Sequence, residues 1–201
     1  EIKEENEKNI FVIFGDKGSG KTNTAMSFPG NIHLFSFDGK AQRIKKYMHQ
    51  NADRVTIWNG VPYVSYKKEE YTRSCSINFD YLLACIEHIR KSNTLPDWIV
   101  LDELGTLSKI IEMRMRFQNN IKPFSGIAER ALWNYRNLDT RELLYSCLEV
   151  SNKGVIITTY SEMDEEIIDG TVIRKTKIPR WFDAIEKESD VIIKTYINLN
   201  E

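Results

Sequence analysis

Residues 15–22 read Gly-Asp-Lys-Gly-Ser-Gly-Lys-Thr, and this stretch decides the fold. It matches the pattern G-x-x-x-x-G-K-[ST] in full, where glycines let the chain wrap tightly and turn its N–H groups toward an anion. The continuously apolar run before it, residues 10–14, predicts a buried strand, and residues 21–28 predict a helix. A strand, a glycine-rich loop and a helix in this order indicate a phosphate-binding loop.

This loop is predicted to hold the phosphates of a nucleotide. Its amides and the start of the following helix supply partial positive charge. Lys21 would reach the β- and γ-phosphates and act in catalysis, and the Thr22 hydroxyl would ligate Mg²⁺. A chance glycine-rich turn would explain the residues without function, but the length and context of the motif disfavour it. The predicted nucleotide-binding residues are Gly15, Asp16, Lys17, Gly18, Ser19, Gly20, Lys21, Thr22 and Asn23.

Three carboxylates follow predicted strands and are candidates for metal binding and base catalysis. The hydrophobic run WIVL ends in Asp102 and Glu103, and the predicted strand at residues 32–37 ends in Asp38. Ligands of open α/β sheets bind at the carboxyl ends of the strands. Asp102 would therefore hold Mg²⁺ together with Thr22, while Glu103 or Asp38 would activate the attacking water, with Glu103 ranked first. A strand followed by an acidic helix N-cap is the alternative explanation of the Asp102–Glu103 pair.

The rest of the chain alternates strand and helix patterns. Further strands are predicted at residues 55–58, 155–159 and 191–197, and a helix is predicted at 76–91. This alternation predicts an α/β fold, a three-layer sandwich with a mostly parallel central sheet.

Two other segments contain residues typical of helix ends and turns. Residues 126–152 are predicted to form two consecutive helices, because Asp139 with Glu142 is a capping signal for the second and Gly154 is a stop signal. Residues 165–178 are predicted to form a β-hairpin around the turn dipeptide Asp169-Gly170.

Composition is that of an ordinary globular chain and gives no activity. The 201 residues are 41% hydrophobic and 28% charged, and no apolar run is long enough to span a membrane. We expect an acidic tail at residues 1–8 and, from the length of the chain, one domain at residues 9–201. The formal net charge of -1 does not mark a nucleic-acid binder, though a local basic face is compatible with it. Three scattered cysteines favour a reducing compartment, so we expect a cytoplasmic protein, in the host cell if the protein is viral.

Together the motifs resemble the RecA-like P-loop ATPases, and more narrowly the small phage and archaeal-virus ATPases that consist of a RecA core. Some of those are described as single-strand annealing proteins. The segments that carry the resemblance are residues 15–30, 33–40, 97–110, 130–137, 154–162 and 178–195. The resemblance implies ATP and Mg²⁺ as cofactors and a strand at residues 155–159 between the P-loop strand and the Asp102 strand. It also implies that Thr158 or Thr159 senses the γ-phosphate, although β-branched strand filler explains both equally well.

Two charged segments are candidates for partner contacts. Residues 114–141 interleave basic and aromatic side chains, which suits single-stranded nucleic acid as well as an ordinary helical surface. An arginine there, or a Lys or Arg of the hairpin, would reach a neighbour's site in trans in a ring-like or filament-like homo-oligomer. Cross-strand ion pairing explains the hairpin charges without function.

The sequence therefore predicts an ATP hydrolase that forms ADP and phosphate, acting in viral or plasmid DNA metabolism with single-stranded DNA as its partner. A P-loop kinase of nucleosides or other small molecules is one alternative, and Glu103 directly after Asp102 argues against it. A non-hydrolysing, ATP-dependent switch that binds a replication partner is the other.

Overall fold

The computed structural model describes residues 7–48, 52–60, 63–127, 130–168, 171–180 and 185–197. Within these ranges, strands and helices alternate through most of the chain. The strands are β1 (Asn9–Gly15), β2 (Ile32–Ser36), β3 (Val55–Asn59), β4 (Trp98–Asp102), β5 (Gly154–Ile168), β6 (Thr171–Pro179) and β7 (Val191–Thr195). The helices are α1 (Lys21–Ser27), α2 (Ala41–Lys45), α3 (Tyr71–Arg90), α4 (Leu104–Gln118) and α5 (Arg130–Glu149).

Six strands form a parallel sheet in the order β3-β2-β4-β5-β1-β7, and β6 adds to β5 in antiparallel orientation. The sheet confirms the predicted α/β fold of the RecA-like P-loop type. It also places β5 between the P-loop strand β1 and the Asp102 strand β4, as the resemblance implies. Because neighbouring strands run parallel, the carboxyl ends of β1, β2 and β4 meet at one edge, past which β5 continues into the hairpin.

Apolar side chains alternate between the two faces of the sheet, which is why helices cover both. Val12 and Leu101 belong to a core cluster with residues of α3, α4 and α5. Ile13 and Val100, one position away, belong to a second cluster with residues of α1 and α2. The layers are therefore helix, sheet and helix.

The helical part of the prediction is wrong in one place. A single helix, α5, replaces the two helices predicted within residues 126–152. Asp139 lies inside it and does not act as a cap, because its carboxylate faces Arg114 of α4 at 3.8 Å. Gly154 is the first residue of β5, where a Cβ atom would meet the Asn9 carbonyl oxygen at 1.9 Å. Close strand packing, and not a helix stop, explains this glycine.

Other boundaries move by a few residues. Helix α3 begins at Tyr71, before the predicted start at residue 76, and β7 ends at Thr195, before the predicted end at residue 197. Helix α4 is an element that the sequence patterns do not assign. The predicted hairpin is confirmed and longer than expected, with pairing from Ser161–Pro179 to Ile168–Thr171, while its turn residues 169–170 lie outside the described ranges. No helix in the described ranges is both long and apolar enough to cross a membrane.

Candidate nucleotide site

Most of the predicted site residues meet in one cavity of about 430 Å³ at the carboxyl edge of the sheet. The cavity is lined by residues of the P-loop, by the three candidate carboxylates, and by Thr158 and Tyr160 of β5. The walls are formed by Lys17, Gly18, Gly20, Lys21, Thr22, Asn23, Asp38, Lys40, Ile44, Tyr47, Asp102, Glu103, Thr158 and Tyr160. The ends of β1, β2 and β4 and the middle of β5 thus deliver side chains to the same place.

The P-loop is shaped by glycines and closed by β7. Gly20 has φ 86°, in the left-handed region that favours glycine, and it precedes α1 directly. At Gly15 a Cβ atom would lie 2.3 Å from the Thr195 carbonyl oxygen, so the loop and β7 require glycine to approach this closely. The Ser19 and Thr195 hydroxyls are 2.8 Å apart and hydrogen-bonded. Gly15 and Ser19 therefore support the loop from beneath and do not line the cavity.

The Lys21 side chain is folded over its own loop. Its Nζ atom donates hydrogen bonds to the carbonyl oxygens of Gly15 at 3.0 Å and Asp16 at 2.9 Å. The same atom lies 4.3 Å from the centroid of the Tyr160 ring. Burial lowers the pKa of Lys21, while the nearby carboxylate of Asp102 opposes this shift. The ammonium group is thus held in the centre of the loop, where a phosphate would be a stronger acceptor than two carbonyls.

Asp102 carries the features expected of a cation ligand. Its Oδ1 atom accepts hydrogen bonds from the hydroxyls of Thr22 at 2.9 Å and Thr158 at 2.7 Å. Its Oδ2 atom is buried and has no hydrogen-bond partner in the described ranges. Burial raises the pKa of Asp102 to about 6, because ionisation in this environment is unfavourable without a compensating cation.

The donor set fits Mg²⁺, which prefers oxygen ligands and is usually held by one or two carboxylates together with substrate phosphates. Asp102 and Thr22 supply a carboxylate and a hydroxyl next to the loop. No group of three His, Cys, Asp or Glu side chains in the described part of the chain could hold a metal ion. A Mg²⁺ ion here would therefore depend on phosphate oxygens for the rest of its ligands.

Glu103 has an unusual backbone conformation and a structural task. Its φ of 78° is left-handed, which is costly for a residue with a side chain. Its carboxylate caps α4 by accepting hydrogen bonds from the N–H groups of Gly105 at 3.1 Å and Thr106 at 2.8 Å, and from the Thr106 hydroxyl. Its own N–H donates to the Thr158 hydroxyl at 2.9 Å. The N-cap explanation of this acidic residue is correct in structural terms, although the carboxylate also borders the cavity.

Asp38 has a different environment. Its two oxygens accept hydrogen bonds from Lys40, one from the backbone N–H at 2.9 Å and one from Nζ at 2.6 Å. The Lys40 side chain is half exposed and lines the same cavity. This carboxylate is therefore bound to one movable lysine, whereas the Glu103 carboxylate is bound to the start of a helix.

Comparison with protein families gives one match, to a model described as AAA domain, over residues 7–201. The chain belongs to this AAA domain family. It is therefore a nucleotide-binding P-loop ATPase by family, in agreement with the loop geometry. A comparison with curated proteins gives no match.

The AAA domain has further site residues that sequence reasoning missed. Lys40 and Tyr160 stand beside Lys21, and Tyr47 of the α2 end lines the outer wall with its side chain largely exposed. Lys40 follows Asp38 by two residues, so its position after a strand was a usable signal. Tyr160 follows the predicted strand at residues 155–159 and gave the same signal. Tyr47 had none, because the orientation of α2 depends on packing.

The hairpin of the AAA domain contacts the P-loop of the same chain. Lys177 of β6 forms an ion pair with Asp16, which also accepts a hydrogen bond from the Ser161 hydroxyl. These two bonds lower the pKa of the Asp16 carboxyl, with the bond to Lys177 as the larger cause. Further out, Lys175 pairs with Glu165 across the two strands at 2.8 Å. Cross-strand pairing thus explains part of the hairpin charge.

The basic segment at residues 114–141 is mostly occupied by intramolecular contacts. Arg114 pairs with Asp80 and lies over the Phe79 ring, with its Cζ atom 4.6 Å from the ring centroid. Arg116 is buried, where its Nε atom donates to Glu112 at 2.8 Å. In the same segment, Arg141 faces Glu188 at 3.6 Å, Arg136 lies over the Trp133 ring, and the Arg130 side chain lies outside the description. The ordinary helical-surface interpretation therefore fits Arg114 and Arg116.

Proposed function

We propose that this AAA domain is a Mg²⁺-dependent ATPase that converts ATP to ADP and phosphate. The observation that carries the proposal is the buried, unpartnered Oδ2 atom of Asp102, at the site where Thr22 and the Lys21 loop converge. A buried carboxylate oxygen without a partner is costly and calls for a cation. Adenine is the expected base because the sequence has no guanine-reading N-K-x-D signature.

Four residues of the cavity, Lys21, Thr22, Asp102 and Thr158, each have a defined task in this reaction. Mg²⁺, when bound by Thr22 and Asp102, would neutralise charge on the phosphates. Lys21 exchanges the Gly15 and Asp16 carbonyls for phosphate oxygens, which are better acceptors because they are charged. Thr158 orients Asp102 from the other side through its hydroxyl.

Asp38 is our preferred catalytic base, ahead of Glu103. Both Glu103 oxygens accept backbone N–H bonds from α4, so proton abstraction would compete with the helix cap. Asp38 is bonded only to Lys40 among the described residues, and a turn of the Lys40 side chain toward a phosphate would free the Oδ2 atom of Asp38. This ranking reverses the order expected from sequence.

The partner that fits best is single-stranded DNA, in viral or plasmid DNA metabolism in the cytoplasm. The exposed rings of Tyr66 and Phe124 support it, together with the exposed Lys68 and Lys122, which form no ion pair with a described residue. Stacking and charge are the two requirements of single-strand binding. Assembly into a homo-oligomer would bring a Lys or Arg of one copy to the nucleotide of the next.

The test is ATP binding and phosphate release by Lys21→Ala, with Lys91→Ala as a matched control on the far end of α3. Lys91 pairs with Glu87 at 3.2 Å, away from the cavity. Loss of both activities in the first variant alone is expected. Unchanged turnover in Lys21→Ala would overturn the proposal.

Product analysis separates the alternatives. Phosphate transfer to a nucleoside or metabolite would identify a kinase, and tight ATP binding without phosphate release would identify a switch. Turnover measured with and without single-stranded DNA across a salt series tests the partner, since phosphate contacts weaken steeply with salt.

A further inference from the structure

Three aromatic rings stack in a row between the β3–α3 loop and the segment after α4. We call Tyr66, Tyr71 and Phe124 the aromatic ladder. The ring centroids of Tyr66 and Tyr71 are 5.8 Å apart with an interplanar angle of 25°, and those of Tyr71 and Phe124 are 6.5 Å apart at 19°. The two outer residues are 75% and 71% exposed. A nearly parallel stack whose ends face solvent is unusual, because such rings bury more apolar area in a core.

Two surface cavities with basic side chains in their walls involve the ladder residues or their neighbours in sequence. One, of about 470 Å³, is lined by Tyr66, Tyr71 and Lys109. The other, of about 460 Å³, is lined by Lys68 and Lys122 together with further polar and aromatic side chains. Lys68 and Lys122 are exposed and form no ion pair with any described residue. Cations are thus available two residues in sequence from Tyr66 and from Phe124, the two ends of the ladder.

The acids of this surface are largely neutralised. Glu112 lies between Lys109, at 3.0 Å, and Arg116, at 2.8 Å. Glu70 accepts a hydrogen bond from the Ser65 hydroxyl and faces Lys67 at 3.8 Å. Glu69 is an exposed acid in the second cavity. The local charge is therefore positive, although the whole chain carries a net charge of -1.

We propose that the aromatic ladder is the binding site for single-stranded nucleic acid. Bases stack on the outer faces of Tyr66 and Phe124, and phosphates lie near Lys68 and Lys122. Every base has a π-face, so such a site tolerates sequence, whereas a duplex hides its base faces and does not fit. This inference rests on the proposed function only for its partner class, and of the basic segment at residues 114–141 it uses only Lys122 and Phe124.

The ladder also has a physical connection to the nucleotide. The first cavity shares Glu103 and Tyr160 with the nucleotide cavity. Glu103 caps α4, the helix that carries Lys109 into the ladder's cavity. A strand seated on the ladder would thus contact the same helix whose first turn borders the phosphates.

The experiment measures fluorescence anisotropy of a labelled oligothymidine of about 20 nucleotides, longer than one binding site. Tyr66→Ala and Phe124→Ala are each expected to weaken binding by about 5- to 150-fold, the size of one lost stacking contact. Tyr66→Trp keeps a stacking ring and should retain the affinity. Tyr145→Ala is the matched control, because Tyr145 is half exposed and donates a hydrogen bond to Glu188 outside the ladder. Melting temperature checks that each variant is folded.

Salt dependence tests the cations separately. Each phosphate contact of a single strand contributes about 0.7 to the slope of log affinity against log salt, so Lys68→Ala with Lys122→Ala should reduce the slope by about 1.4. Glu69→Gln should raise affinity at low salt. An unchanged slope would overturn the assignment of these lysines.

The outcomes distinguish this inference from the proposed function. Wild-type affinity in folded Tyr66→Ala and Phe124→Ala would overturn the ladder while leaving the DNA partner intact. No binding of the oligothymidine by the wild type would overturn the ladder and the DNA partner, but not ATP hydrolysis. Equal binding of single strands and duplex would also overturn the ladder proposal. So would variants of the ladder that change the molecular mass of the protein in light scattering but leave its affinity for the oligothymidine unchanged. A ribonucleotide probe in parallel decides between DNA and RNA.

Discussion

The two ends of the same parallel sheet are built in opposite ways. At the amino end, the Arg54 guanidinium donates to the carbonyl oxygens of Met26 at 2.8 Å and Gly30 at 2.7 Å, and also to Phe28. At the carboxyl end, a buried oxygen of Asp102 has no partner in the described ranges, and Glu103 adopts a left-handed conformation. At the amino end one arginine satisfies three backbone carbonyls, and at the carboxyl end a buried carboxylate oxygen has no described partner.

This difference indicates that the amino end of the sheet contributes mainly to stability and the carboxyl end mainly to function. Strain and unsatisfied polar groups persist only when the surrounding structure compensates for them. The sheet, covered on both faces, provides that compensation here. Substitutions at the carboxyl end should therefore change activity more than stability, and those at the amino end should do the reverse.

The largest expected effect is the loss of the base. Asp38→Asn should reduce ATP turnover by about 10²- to 10⁴-fold, the usual contribution of general base catalysis, while nucleotide binding persists. Glu103→Gln should have a smaller effect on turnover and lower the melting temperature, because it weakens the cap of α4. Steady-state phosphate release and thermal unfolding of both variants give the comparison. The opposite ranking would restore Glu103 as the base.

Asp102 should make the nucleotide-free protein less stable as pH rises. Its folded pKa of about 6 lies above the ordinary aspartate pKa of 3.8, so the folded state holds the proton more tightly between these values. Stability should fall across this window by up to about 3 kcal/mol, since one pKa unit corresponds to about 1.4 kcal/mol. Urea unfolding from pH 4 to pH 8 in a chelator should show the fall.

In Asp102→Asn the pH-dependent fall should disappear, and Mg²⁺-dependent turnover should be lost with it. A similar fall in both proteins would show that the unpartnered carboxylate is not the cause.

Arg54 provides the opposite test at the amino end. Arg54→Met removes three hydrogen bonds to carbonyls and should lower the free energy of unfolding by about 2 kcal/mol. ATP affinity should stay within about twofold, less than the tenfold that 1.4 kcal/mol would give. Arg43→Met, on the exposed side of α2, is the control for loss of a positive charge. A large change in ATP affinity for Arg54→Met alone would remove the distinction between the two ends.

The smallest effect concerns His33 at the amino end. Burial, and secondarily the charge of His88, lower the pKa of His33 below 6.5. The unfolded chain then takes up a proton that the folded protein does not, so stability should be lost as pH falls below 6.5. His33→Gln should flatten the acid side of the stability profile. An unaltered acid side would mean that His33 carries no part of the dependence.

Local signals were enough for the sheet and the P-loop. Residues 10–14 and 98–101 are apolar because both faces of each strand are buried, and the loop motif is fixed by the geometry of phosphate binding. The same logic placed Asp102 and Asp38 at one edge. The family match then confirmed the ATPase class.

Features that depend on contacts between distant segments were missed. Asp139 reads as a cap in sequence, but its pairing with Arg114 across α4 and α5 exists only in the folded chain. The contact of Lys177 with Asp16 joins residues 161 positions apart. The ladder depends on a loop and a segment that are more than 50 residues apart, which periodicity does not detect.

The bonds from Ser161 and Lys177 to Asp16 couple the position of the hairpin to that of the P-loop. The arm from Ser161 to Ile168 extends about 23 to 26 Å at about 3.3 Å per residue, and its base is fastened to the second residue of the P-loop. At that length a tilt of about 10° at the base moves Ile168 by about 4 Å, while the fastened end moves by a fraction of that. A small movement of the P-loop at Asp16 that leaves the sheet intact would thus produce a larger movement of the hairpin at Ile168.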